Sequence, residues 1–71
     1  MIPEWLCRKL HYRNIDCHIT RLNNGMLLLE LRDPADKKGG KYWAQTFDPS
    51  ELDISDKMGA YAIQFMNTSI H

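Results

Sequence analysis

Residues 15–33 read IDCHITRL, NNG, MLLLELRD. Two runs rich in β-branched and aliphatic residues flank Asn23-Asn24-Gly25, and an Asn-Gly step supplies the positive φ that a tight hairpin turn needs. The stretch is therefore expected to be a β-hairpin. Side chains alternate along a strand, so Ile15, Cys17 and Ile19 share one face of the first strand, and Leu27, Leu29 and Leu31 share one face of the second. Leu28, Glu30 and Arg32 fall on the other face of the second strand. One buried and one wet face is the pattern of an antiparallel sheet covered on one side.

C-terminal to the hairpin, DPADKKGG (33–40) has the proline, paired glycines and charges of a loop. KYWAQTF (41–47) then reads as a third strand that returns along the second, making a meander. Asp48-Pro49-Ser50 ends it, and Ser50 opens the C-terminal helical region, 50–68. Ser55 or Asp53 can cap a helix from about Asp56 to Thr68, since both side chains accept hydrogen bonds from free N–H groups. Met58, Tyr61, Ala62, Phe65 and Met66 form an apolar stripe suited to lying on a sheet. Gly59 within that stripe weakens the helix or permits close approach of a neighbour.

N-terminal to the hairpin, Pro3 fits a first helical turn. Trp5, Leu6, Leu10 and Tyr12 follow at near-helical spacing, so residues 1–12 form a short helix or an extended arm. The expected fold class is α+β: a three-stranded antiparallel meander (15–47) packed on a C-terminal helix, all in one domain, 1–71. One sheet face is left open.

Composition narrows the function. A chain of 71 residues buries only roughly 60% of its unfolded surface, which leaves little room for a deep cleft of positioned catalytic groups. No nucleophile with an activating base, phosphate loop or dinucleotide fingerprint is visible, so the chain is expected to bind rather than catalyse. Nine basic and nine acidic residues cancel, whereas nucleic-acid-binding domains are usually basic. The N-terminus lacks a signal peptide's apolar run and cleavage site, and no stretch is long enough to span a membrane. Cys7 and Cys17 are too few for a disulfide scaffold. They read as reduced thiols of a cytoplasmic protein.

Cys7, His11, Cys17 and His18 are residue types that bind zinc, but structural zinc takes four ligands. Adjacent Cys17 and His18 point to opposite faces of a strand and cannot easily share one ion. No metal or cofactor is expected. Asp48, Glu51, Asp53 and Asp56 gather where carboxylates favour a helix N-terminus, so a structural role suffices for them.

The open sheet face is the expected site. Alternation places Glu30 and Arg32 there, and the meander is expected to bring Lys41, Trp43 and Gln45 beside them, with His18 and Thr20 from the first strand. A sheet can enter the DNA major groove, where arginine pairs with guanine and glutamate accepts from cytosine. The bland alternative is a solvated face of cross-strand pairs, each contributing roughly 0.2–1 kcal/mol.

GMLLLELRDPADKKGGKYWAQTFDPSE (25–51) resembles the DNA-binding domain of the plant ethylene-response-factor family. The likeness lies in Glu30-Leu31-Arg32-Asp33-Pro34 and in Trp43-Ala44-Gln45-Thr46-Phe47-Asp48. Tyr12-Arg13 and Ala60-Tyr61 add weaker echoes. The resemblance implies a three-stranded sheet packed on one helix and a sheet that reads duplex DNA through Glu30, Arg32, Lys41 and Trp43. Arg13 and Arg21 remain of the family's first-strand arginines, at different spacing, and Leu27 stands where the family has tryptophan.

Two functions are thus expected of this chain. One is a small regulatory DNA-binding module using Arg13, Arg21, Glu30, Arg32, Lys41 and Trp43. The other is a protein-interaction module or inhibitor of the phage or mobile-element kind, acting through an apolar patch around Trp5, Leu6 and Leu10 or through a sheet edge, with homodimerisation open to it. A double-stranded RNA-binding domain has the same α-β-β-β-α order but normally carries a basic helix N-terminus, where this chain is acidic.

Overall fold

A computed structural model describes residues 2–37 and 39–68; Met1, Lys38 of the loop, and residues 69–71 lie outside it. The elements run α1 (Glu4–Tyr12), β1 (Asp16–Arg21), β2 (Leu27–Asp33), β3 (Lys41–Phe47) and α2 (Ile54–Thr68). The three strands form one antiparallel sheet in the order β1-β2-β3. The α+β meander with its C-terminal helix is therefore present.

Local chemistry sets each junction. Between helix and arm, Glu4–Tyr12 form a helix, with the Pro3 carbonyl accepting from the N–H groups of Leu6 and Cys7. At the far end of α1, Asn14 adopts φ 59°. Its N–H donates to the His11 carbonyl and the Ile15 N–H donates to the Leu10 carbonyl, at 2.9 Å each. This is a Schellman closure, and the apolar contact that usually accompanies it falls to the buried pair Leu10 and Ile15. The hairpin closes through three loop residues. Leu22 N–H donates to Met26, Gly25 N–H donates to Leu22, and Gly25 takes φ 85°, which only glycine adopts without strain. Asp48 then turns the chain out of β3 by accepting from the Ser50 N–H and hydroxyl at 2.9 and 2.8 Å. Those two bonds, backbone first, hold its carboxyl below the usual range.

The core lies on one side of the sheet. Leu27, Leu29 and Leu31 of β2 share a buried cluster with Leu6 and Leu10 of α1 and with Met58, Ala62, Phe65 and Met66 of α2. Both helices thus cover the same sheet face. The expected stripe on α2 is its buried face, and Gly59 lies where α1 crosses it, near Leu6 and Pro3. Trp5 and Tyr12, although spaced with Leu6 and Leu10, remain exposed. Burying those rings would require a second apolar surface above α1, and α1 already meets the core through Leu6 and Leu10.

Candidate functional site: the helix-free face of the sheet

The face opposite the helices is built from alternate residues of all three strands. The ladders pair Asp16 with Arg32, His18 with Glu30 and Thr20 with Leu28. On the other side they pair Arg32 with Tyr42, Glu30 with Ala44 and Leu28 with Thr46. Directly paired residues of antiparallel strands share a face. Three rows result: Asp16-Arg32-Tyr42, His18-Glu30-Ala44 and Thr20-Leu28-Thr46.

The register corrects the expected composition of this face. Lys41 pairs with Asp33, Trp43 with Leu31 and Gln45 with Leu29, so all three lie on the helix side, away from Glu30 and Arg32. The physical reason is burial. Trp43 and Phe47 share a parity, as do Leu27, Leu29 and Leu31, and a single-residue slip would exchange this apolar set for Tyr42, Ala44 and Thr46. Trp43 lies 5.4 Å between ring centroids from both Tyr61 and Phe65 of α2, and Phe47 lies 5.7 Å from Tyr61. The Lys41 ammonium stands 4.7 Å from the Trp43 ring centroid and 5.1 Å from that of Phe65. It also bonds Thr68 Oγ1 at the end of α2, where the helix dipole favours a cation.

Arg13 and Arg21 also lie off the open face. Arg13 donates to the Met66 carbonyl at 3.3 Å, near the C-terminal end of α2. Arg21 pairs with Leu27 and therefore has the helix-side parity, exposed at the end of β1. Of the six residues expected to read nucleic acid, only Glu30 and Arg32 meet on the open face. His18 and Thr20 join them as expected.

Tyr42 and Asp16 complete the site and were missed by strand-by-strand reading. Tyr42 is 57% exposed and donates its hydroxyl to Glu30 Oε2 at 2.6 Å. That bond is the main reason its phenol pKa is raised, because ionising the phenol removes the proton it donates. Asp16, His18, Glu30, Arg32 and Tyr42 line a shallow depression of about 200 Å³. Across the three rows there are two carboxylates and one guanidinium. The available signal was the size contrast within β3: Trp43 and Phe47 can fill a core, whereas Tyr42, Ala44 and Thr46 suit a wet face.

The other sequence-marked groups take separate places. Cys7 and Cys17 are free thiols lining a groove of about 600 Å³ between α1 and β1. Burial, and then the nearby Cys7, push the Cys17 thiol up, so it is not poised as a thiolate. No group of three or more His, Cys, Asp or Glu among the described residues is arranged to hold a metal ion. Lys57 bonds Glu51 and stands 3.9 Å from Asp53, tying the acidic cluster to the start of α2. No helix among the described residues is long and apolar enough to cross a membrane. Set against family models, curated proteins and solved structures, the chain matches none.

Proposed function

We propose that this chain is a small binding module that presents the helix-free face of its sheet to a protein partner. The observation that carries the reading is the make-up of that face. Tyr42 and Arg32 stand side by side in the cross-strand row at one end of that face, next to the His18-Glu30-Ala44 row, with Thr20, Leu28 and Thr46 in the row beyond. Tyrosine and arginine are enriched at protein interfaces and among their hot spots. Ala44 beside them, and Thr20 and Thr46 at the other end of the face, leave room for a partner to approach. The charge balance supports the same reading. DNA binding depends on neutralising several phosphates, and this face offers one arginine against Asp16 and Glu30.

The test is affinity capture from cells of the source organism, comparing the native chain with a Tyr42→Ala/Arg32→Ala double variant. Both substitutions lie on the solvent side of the sheet, so the variant should keep its circular dichroism spectrum. A partner held by the native chain and lost by the folded double variant is the expected result. Equal capture by both would exclude this face.

One observation favours a second reading, duplex DNA. Glu30 and Arg32 lie on the open face at the positions that the ethylene-response-factor resemblance gives to base contacts. On that reading, titration with duplex DNA at low salt shifts the amide resonances of β2, and the shifts vanish steeply as salt rises. No shift at low salt would remove it.

A further inference from the structure

We propose that the chain self-associates through the free edge of β1, joining two sheets into one six-stranded sheet. Hydrogen-bond phase comes first. Leu22 donates to Met26 at the hairpin's closing pair, and hydrogen-bonded pairs alternate with non-bonded ones along an antiparallel ladder. Thr20–Leu28, His18–Glu30 and Asp16–Arg32 are then the pairs whose backbone groups point at each other. Cys17, Ile19 and Arg21 direct their N–H and C=O groups outward from the sheet edge. β1 has no proline, bulge or central charged residue to protect this edge, and five of its six residues are exposed.

The occupant that fits is a second copy. A two-fold axis perpendicular to the sheet through Ile19 pairs Ile19 with its counterpart, and each Cys17 with the other copy's Arg21. All three outward-facing residues are then satisfied in one antiparallel ladder. Ile19, an exposed apolar side chain on the helix side, meets an identical one. His18 faces Thr20 on the other side of the sheet, and no like charges stand opposite one another. At each end Arg21 of one copy stands opposite Cys17 of the other, on the helix side of the joined sheet. It arrives beside the groove between α1 and β1 that Asp16 and Cys17 help to line. β3 offers no comparable match, because its outward groups belong to Tyr42, Ala44 and Thr46 and its central residue is alanine.

Area gives the pairing a purpose, and here it rests on the binding reading above. Three strands of about seven residues present a face of roughly 340 Å², well short of the about 800 Å² per partner of a standard interface. The two-fold keeps both helix-free faces on the same side, so pairing doubles the continuous surface. The contact between the two edges is itself small, so the dimer is expected to be weak and concentration-dependent.

Sedimentation equilibrium on the full chain, without any partner, tests this apart from the binding reading. The average mass should rise from 8.3 kDa toward twice that value with concentration. Ile19→Lys should weaken association at least tenfold. Ile19→Pro removes an outward N–H without taking a β1–β2 hydrogen bond, so it should do the same while the circular dichroism spectrum is kept. A native chain that dimerises but captures no partner would count against the binding reading alone. A strictly monomeric native chain, or association unchanged in both Ile19 variants, would overturn the proposal.

Discussion

Trp43 stands opposite Leu31 in the β2–β3 ladder, with its ring 5.4 Å from that of Phe65. This pairing decides what each face of β3 does. It makes Trp43 a packing residue and its neighbour Tyr42 a surface residue. Aromatic pairs contribute about 0.5–1.5 kcal/mol beyond the area they bury, and Trp43 has two ring partners on α2.

Trp43→Ala should therefore destabilise the fold by about 2–3 kcal/mol, less than a fully buried aromatic truncation because the side chain is partly exposed. Tyr42→Ala, one residue away, should change stability by roughly 0.5 kcal/mol or less, as surface substitutions do. Urea unfolding of the two variants checks the contrast. Equal effects would contradict the register.

The order of elements was largely legible before the structure. The Asn-Gly turn, the parity of Leu27, Leu29 and Leu31, and the α2 stripe are local patterns. Each had one compatible element type. The composition of the open face was not legible to the same degree, because it depends on how β3 slides past β2. The loop between them is long enough to accept either parity. The outcome was decided by which β3 side chains the helices could bury, and the helices' position is not a local property.

Gly59→Ala should stabilise α2 by up to about 1 kcal/mol. Glycine costs a helix backbone entropy, and a methyl group here would meet Leu6 Cδ2 at 3.7 Å and Pro3 Cδ at 3.9 Å, which are ordinary contacts. A higher melting temperature is the expected readout. A lower one would mean that α1 and α2 approach more closely than these distances.

Arg13→Ala should cost about 1 kcal/mol through loss of its bond to the Met66 carbonyl and of its charge near the end of α2. The effect should appear in thermal unfolding and be reduced by added salt. Binding measured at equal folded fraction should not change, because Arg13 lies off the helix-free face.

The Tyr42–Glu30 bond predicts an alkaline dependence. Its phenol pKa is raised in the folded chain, first by this hydrogen bond. The folded state then holds the proton more tightly than the unfolded state. The bond's contribution is whole below the ordinary tyrosine pKa and is lost as pH rises through the raised value. Absorbance titration of tyrosinate should show this residue ionising late, and Glu30→Gln should bring it back toward the ordinary range. Tyr61, raised by burial, should not respond to that substitution. An unchanged Tyr42 titration in Glu30→Gln would exclude the bond.

By itself the sequence determined the hairpin, the three strands, the C-terminal helix and the alternation within each strand, because turn chemistry and side-chain period act over a few neighbouring residues. Glu30 and Arg32 on one face of β2 follow from that period alone. Only the tertiary structure decided that Tyr42 and Asp16 join them while Lys41 and Trp43 turn away. It also decided that α1 packs beside α2 and leaves the sheet's other face bare. Both outcomes rest on the burial of one shared apolar set, Leu6, Leu10, Leu29, Leu31 and Phe65 with Trp43 packed against it. These residues are far apart in the chain and meet only when α1, β2, β3 and α2 are all in place.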